Sequence, residues 1–248
     1  MIEPMDFYES ISAYYDYIFP VDPQTLEFLA QRTSPGARVL DLACGTGGYA
    51  VELAAGGRRV TGVDLDEAMI RLAQGKAGGR PGVEFHAMDM RDAGRRLQPG
   101  FDLVFCIGNS IVHLSNEARI GAVLADCRRL LAKGGTLVVQ IINYDRVLAR
   151  HVMELPTLRC ERPALEFVRR YDYEEGSRVV QFRTELSVQE PAGPRTVSNR
   201  VPLWILTREV LERLTREAGF QRLELFGGFD AKPYSLDSLP LILSAARD

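Results

Sequence analysis

Three acids, each inside or at the end of an apolar run, are the residues of this chain best suited to chemistry. Asp41 sits in Val39-Leu40-Asp41-Leu42-Ala43, which breaks into Cys44-Gly45-Thr46-Gly47-Gly48. Apolar residues return at Tyr49, Val51, Leu53 and Ala54, a helical spacing. A strand, a Gly-rich turn and a helix together can cradle a nucleotide, because glycine lets the backbone approach a ligand closely. A dinucleotide fingerprint would read G-x-G-x-x-G. Here an acid precedes the turn, and Ala50 stands where the third glycine would be. A carboxylate there repels a pyrophosphate and suits a cation. Asp64 follows 23 residues after Asp41 and ends the next apolar run. An acid at that place can accept hydrogen bonds from both hydroxyls of a ribose. Asp89-Met90 ends a third run.

These residues need a scaffold that gathers strand ends, and the alternation of the chain supplies one. Arg59–Leu65, Val83–Asp89, Phe101–Ile107 and Gly135–Ile142 read as further strands. Asp66 is expected to cap a helix carrying Met69, Ile70 and Leu72. Ser115 is expected to cap another with Ile120, Val123, Leu124 and Leu130 inward, closed by Gly134. This rhythm predicts an α/β fold, a doubly wound and mostly parallel sheet with ligands at the carboxyl ends of its strands. A helix from Thr207 to Gly219 and an antiparallel pair, Arg222–Phe226 with Leu239–Ala245, complete it.

Two stretches stand outside the rhythm. Residues 5–19 are dense in aromatics at helical spacing, and Asp22-Pro23 opens a helix to about Gln31. Residues 1–35 thus form an expected cap, lying on the core or serving as a lid whose tyrosines face a cation. Residues 151–205 read as three antiparallel strands, Glu166–Tyr173, Arg178–Val188 and Thr196–Ile205, inserted between core segments 36–150 and 206–248. Side chains two apart share a strand face, so Phe167, Arg169, Tyr171 and Tyr173 project together. A lid and a homodimer contact both remain open for this insertion.

The glycine turn preceded by Asp41 resembles the first motif of the class I S-adenosylmethionine (SAM) methyltransferases, and the order of elements extends that likeness over nearly the whole chain. The resemblance implies a seven-stranded sheet, with SAM held by Tyr15, Asp41, Ala43, Gly45, Gly47, Asp64, Leu65, Asp89, Met90 and Ile107. In that family an acid at Asp89 takes the adenine amino group, and Leu65 and Met90 would cover the ring. Gly108-Asn109-Ser110-Ile111-Val112-His113-Leu114 and Asn143-Tyr144-Asp145-Arg146-Val147-Leu148 look like the glycine and sarcosine N-methyltransferase group. By that likeness Asn109, His113, Asn143 and Tyr144 line the methyl-transfer site. Residue type alone equally allows Asn109 to hold a turn, His113 to be a half-buried histidine and Tyr144 to be core.

The implied activity is methyl transfer to a small molecule, with an amine as acceptor. An O-methyltransferase and a catalytically silent SAM-binding module are the alternatives. Methyl transfer needs alignment and exclusion of water. His113 could accept the amine proton, and Arg146, Arg169 or Arg170 could pair with an acceptor carboxylate.

Composition narrows the classes further. The 248 residues are 46% hydrophobic and 25% charged, with net charge −3 and a pI near 5.8. That is an ordinary globular balance without a counterion-releasing surface for nucleic acid. The strand-four position also lacks the proline-rich motif of DNA amino-methyltransferases. The 4 cysteines form no C-x-x-C pair, which predicts reduced thiols in a cytoplasm. His86, His113 and His151 share no ligand spacing, so no metal is expected. No basic-then-apolar leader and no run near the roughly 20 residues of a membrane span are read.

Overall fold

The computed structural model describes residues 11–248. The part of the aromatic-rich stretch before Ile11 lies outside the described residues. Seven strands form the main sheet: β1 (Arg38–Leu42), β2 (Arg59–Asp64), β3 (Val83–Ala87), β4 (Phe101–Cys106), β5 (Leu131–Ile142), β10 (Arg222–Phe226) and β11 (Pro240–Ala246). Their order is β10-β11-β5-β4-β1-β2-β3. β1 through β5 are parallel, and β11 runs antiparallel between β10 and β5. Between β1 and β4 the strand order reverses direction, the place where ligands enter such sheets.

Both faces of the sheet are covered, as continuous apolar strands require. In β1, Leu40 and Leu42 join one core while Val39 joins the other. In β4, Val104 and Cys106 take the first side and Leu103 and Phe105 the second. The first core is closed by the helix Glu117–Leu130, which buries Ile120, Val123, Leu124, Cys127 and Leu130 at helical spacing. The second is closed by the helices Pro23–Ala30 and Gly48–Ala55, through Phe28, Leu29, Ala50, Val51 and Leu53. Asp22 caps the former, accepting from the Thr25 N–H at 2.8 Å.

A second sheet of four antiparallel strands, β6 (Glu154–Glu161), β7 (Ala164–Asp172), β8 (Val179–Glu190) and β9 (Gly193–Trp204), stands beside the first. Three strands were expected here and four are found. β6 carries Pro156, which argues against a strand, yet β6 is an edge, where a missing N–H is tolerated. Ile11, Ile18, Leu165, Phe167, Leu186 and Val188 form a third core between this sheet and the amino-terminal segment.

Other expectations need correcting. The described end of the amino-terminal segment is a 3-10 turn, Ser12–Tyr14, followed by one helical turn, Tyr15–Ile18, rather than one long helix. Asn116, not Ser115, caps the helix Glu117–Leu130, taking the Arg119 N–H at 2.9 Å. Ser115 has a left-handed backbone, with φ 62°. Gly134 does not end that helix; it lies inside β5, where the β4–β5 register shifts.

Candidate functional site

A cavity of about 280 Å³ opens at the carboxyl ends of the parallel strands. Ala43, Gly45, Asp64, Leu65, Asp89, Met90, His113 and Tyr15 all stand on its wall. The glycine turn is shaped for close approach. Ala43, Gly45 and Gly47 have φ of 62°, 54° and 72°. The Tyr15 ring lies over Gly45, where a Cβ would meet it at 3.3 Å. Gly47 is not on the wall. A Cβ there would meet the Phe85 ring at 2.5 Å, so this glycine serves helix packing.

The carboxylates set the charge of this end. Asp41 lies beneath the turn, 3% exposed. Burial, with Asp64 adding repulsion, holds its pKa well above the usual carboxylate range. No described side chain donates to it or pairs with it. Asp64 accepts the Gly45 N–H on Oδ2 at 2.8 Å and the Asp66 N–H on Oδ1 at 3.0 Å. Burial raises its pKa too, against the lowering pull of those N–H groups. Asp66 caps the helix Glu67–Ala77 through Oδ1, while its Oδ2 is buried on the wall without a partner. Asp89 caps the helix Met90–Arg96, and Arg91 holds its carboxyl below the usual range.

After β4 and β5 the expected residues divide. His113 lies on the wall, at the end of the 3-10 segment Ser110–Leu114. Crowding by protein atoms pulls its pKa down to about 4. The residue is nonetheless exposed, and solvent contact moderates that pull. Either way the imidazole is neutral at pH 7. Asn109 is flanked by the wall residues Gly108 and Ser110, but its own side chain pins a turn. Its φ is 65°, its Oδ1 accepts the Ile142 N–H at 3.0 Å, and its Nδ2 donates to the Tyr144 hydroxyl at 3.1 Å. Ile107 precedes this turn and is not on the wall.

Asn143 and Tyr144 do not line the cavity, contrary to expectation. Both are 0% exposed. Asn143 caps the helix Tyr144–Ala149 and donates to the carbonyls of Leu236 and Ser238 at 3.0 and 2.9 Å. A residue that must satisfy so many backbone groups is fixed in the interior. Tyr144 is core, and burial raises its pKa.

The amino-terminal segment closes one side. Asp16 accepts from the Thr46 hydroxyl at 2.5 Å and from Lys76 Nζ at 2.8 Å, tying the segment to the glycine turn. Tyr14 donates to Glu190 of β8 at 2.7 Å. The rings of Tyr15, Phe19 and Phe167 follow one another at centroid distances of 5.2 and 5.8 Å, so the cavity wall continues into the second sheet. β9 lies against the segment that carries His113.

Proteins similar to this chain include SAM-dependent methyltransferases. A family profile described as a methyltransferase domain matches residues 39–135, which span the glycine turn and the ends of β2, β3 and β4. The glycine/sarcosine N-methyltransferase of Aphanothece halophytica is 29% identical over 212 residues, covering 85% of this chain and 76% of the relative. A SAM-dependent methyltransferase from Clostridium acetobutylicum has the same fold, with a TM-score of 0.80 at 16% identity, over 97% of this chain and 98% of the other. This chain is a class I SAM-dependent methyltransferase. The SAM-bound amino pentose methyltransferase CalS10 from Micromonospora echinaspora is similar over 100% of this chain and 92% of its own, at 25% identity and a TM-score of 0.66. SAM is the methyl donor of this methyltransferase, and an uncompensated buried carboxylate beneath a glycine turn fits a donor that carries an ammonium and a sulfonium.

Sequence reasoning missed several wall residues of the methyltransferase, among them Arg91 and Arg119. A signal existed. Each is a cation in the first turn of a helix, where the helix dipole disfavours it. Gln140 was also missed. Its Oε1 accepts the Gly108 N–H at 2.7 Å and so shapes the turn after β4, with nothing in its local sequence to mark it.

Proposed function

We propose that this methyltransferase acts on the amine nitrogen of a small molecule. The observation that carries the reading is the place of His113, an imidazole on the cavity wall beside the donor pocket. A hydroxyl acceptor needs a base to take its proton during transfer, whereas an amine does not. An amine can shed its proton to bulk water before it binds. His113 then has a different task from the one first expected. It accepts a hydrogen bond from an amine N–H and aims the nitrogen lone pair, without storing the proton. The names of the relatives from Aphanothece halophytica and Micromonospora echinaspora point the same way.

For the donor, Asp64 and the free Oδ2 of Asp66 are the acceptors suited to ribose hydroxyls, and Leu65, 56% exposed, with Met90 suits an adenine ring. Asp89 is suited to the adenine amino group through the lone pairs Arg91 leaves. Asp41 balances an ammonium. Bound SAM supplies an electrophilic methyl on a sulfonium. The second sheet acts as the lid in this reading. Its Phe167 and Tyr171 are already buried within the chain, which favours a lid over a dimer contact on that face.

The test is an acceptor panel with isotopically labelled methyl SAM, in which primary and secondary amines are set against phenols and carboxylic acids. N-methylated products are expected. Products methylated only on oxygen would overturn the reading.

A further inference from the structure

The two arginines on the cavity wall are held in different ways. Arg91 is committed to Asp89: its Nε donates to Oδ2 at 2.9 Å, and its Nη2 bonds the same oxygen. Arg119 has no ion-pair partner among the described residues. Of its guanidinium only Nη1 has a described partner, the Ser115 Oγ at 3.1 Å. A guanidinium carries several N–H donors in a planar fork. Most of that capacity is left unclaimed on the wall.

The placement of Arg119 is costly. It is the third residue of the helix Glu117–Leu130, where the positive end of the helix dipole disfavours a cation. Ser115, which tethers it, has φ of 62°, a region that residues other than glycine rarely enter. Two unfavourable local features thus meet in one hydrogen bond. Both residues are exposed and belong to no core, so packing does not explain them. Local strain without packing directs attention to the surface it faces.

That surface is the end of the cavity that holds Asp89. The helices Met90–Arg96 and Glu117–Leu130 pack side by side, with Gly94 so near the Asp126 carboxyl that a Cβ would overlap it. Their first turns both reach the wall. The charge of Arg119 joins that of Arg91 in drawing the Asp89 carboxyl down. A hydrogen-bond acceptor and an unclaimed donor therefore stand together, with the apolar Leu65, Met90 and Leu114 on the same wall.

Adenine presents the complement, an amino group that donates and, beside it, ring nitrogens that accept. We propose that Arg119 reads the base of the methyl donor: Asp89 takes the amino group, Arg119 donates to a ring nitrogen next to it, and Ser115 holds the guanidinium in place. The inference rests on the adenine placement proposed above and adds the residue that makes recognition two-sided. A carboxylate alone accepts from any exocyclic N–H. A carboxylate beside a guanidinium selects a donor next to an acceptor, the pattern of a 6-aminopurine. A 6-oxopurine would turn an oxygen toward Asp89.

The test is calorimetric titration of S-adenosylhomocysteine (SAH) and of its 1-deaza and 7-deaza analogues, in which one ring nitrogen is replaced by carbon. The wild type is expected to bind one of the two about tenfold or more weakly than SAH, the scale of one hydrogen bond to a charged group. Arg119→Met is expected to weaken SAH by a similar factor and to bind SAH and that analogue alike. Its Tm should hold or rise, because a cation leaves a helix N-terminus. Ser115→Gly suits the left-handed backbone and lacks the hydroxyl. It is expected to weaken SAH severalfold on its own and to change nothing further in Arg119→Met. Asp89→Ser keeps a helix cap and removes the carboxylate, so it tests the adenine placement separately. Weaker SAH binding in Asp89→Ser, with the analogues ranked in Arg119→Met as in the wild type, keeps that placement and overturns the role of Arg119. An equal loss for SAH and both analogues in Arg119→Met would mean that the guanidinium acts by charge or stacking, and it overturns base reading too. Unchanged SAH binding in Asp89→Ser removes the placement and the inference together.

Discussion

The donor end of the site and the face of the lid leave opposite charges unbalanced. Beneath the glycine turn, Asp41 and Asp64 are buried carboxylates with raised pKa values, and no described cation lies on either. Under the second sheet, Arg169 is a partly buried guanidinium with a lowered pKa and no described anion. Each region is destabilised by desolvating a charge that a ligand of opposite sign would balance. The difference lies in how the charge is held. Asp64 is anchored by backbone N–H groups of the turn, so it belongs to the fold as much as to the ligand. Arg169 is held by its bond to the Pro156 carbonyl of the neighbouring strand, outside the glycine turn.

The largest effect is therefore expected at Asp64. Asp64→Ala removes the acceptor for the Gly45 and Asp66 N–H groups along with any ribose contact. SAM affinity, measured by calorimetry, is expected to fall by about 3 kcal/mol, the upper range for hydrogen bonds to a charged group. A loss below about 1 kcal/mol would mean that the turn holds its shape without this carboxylate and that the donor end is organised differently.

Asp41→Asn sharpens the contrast, because it should act in opposite directions on stability and binding. The substitution keeps the shape and removes a buried charge without a described partner. The ligand-free protein is expected to gain about 1–2 kcal/mol near pH 7 and to bind SAM more weakly. The pH dependence follows from the raised pKa. A carboxyl whose folded-state pKa lies above its unfolded value supports the fold fully below the unfolded value of 3.8 and loses that support as pH rises through the folded one. The advantage of Asp41→Asn should thus grow from acid toward neutral pH and shrink when SAM is present. Chemical denaturation across that range, with and without SAM, reads both. A variant less stable at every pH would show that Asp41 is a structural acceptor.

The same contrast decides what could be read from sequence. Asp64 and Asp89 could be placed on the cavity wall because one strand-to-turn pattern, repeated at successive parallel strands, puts each acid at the same end of the sheet; Asp41, inside β1, lies beneath the turn and off the wall. Asn143 and Tyr144 come after a strand in the same way, and that rule misplaced them. Whether a residue just past a strand faces the ligand or the interior depends on what packs across from it. Here that is the chain near Ser235–Ser238, some 90 residues away. β6 was not read as a strand; its Pro156 is tolerated because β6 lies at the edge of the second sheet.

The amino-terminal segment touches both regions, and its two tethers differ in kind. Asp16 joins it to the donor end through Thr46 and Lys76, a polar contact with the Asp16 side chain 53% exposed. Tyr14, Phe19 and Ile18 join it to the lid, largely by apolar and ring contacts. Exposed ion pairs contribute little and weaken with salt, whereas ring packing does not. Asp16→Ala is accordingly expected to change global stability by less than about 1 kcal/mol. Its effect should appear as a severalfold faster release of SAM, because the turn beneath Tyr15 loses its tie to the segment above. Stopped-flow dissociation should show the wild-type rate approaching that of the variant as salt is raised to screen the pair. The KM for the amine acceptor should stay unchanged in the variant, since the tether to the second sheet is intact. If Asp16→Ala alters that KM as strongly as SAM release, the donor end and the lid form one cooperative unit, and the division between two independently balanced regions fails.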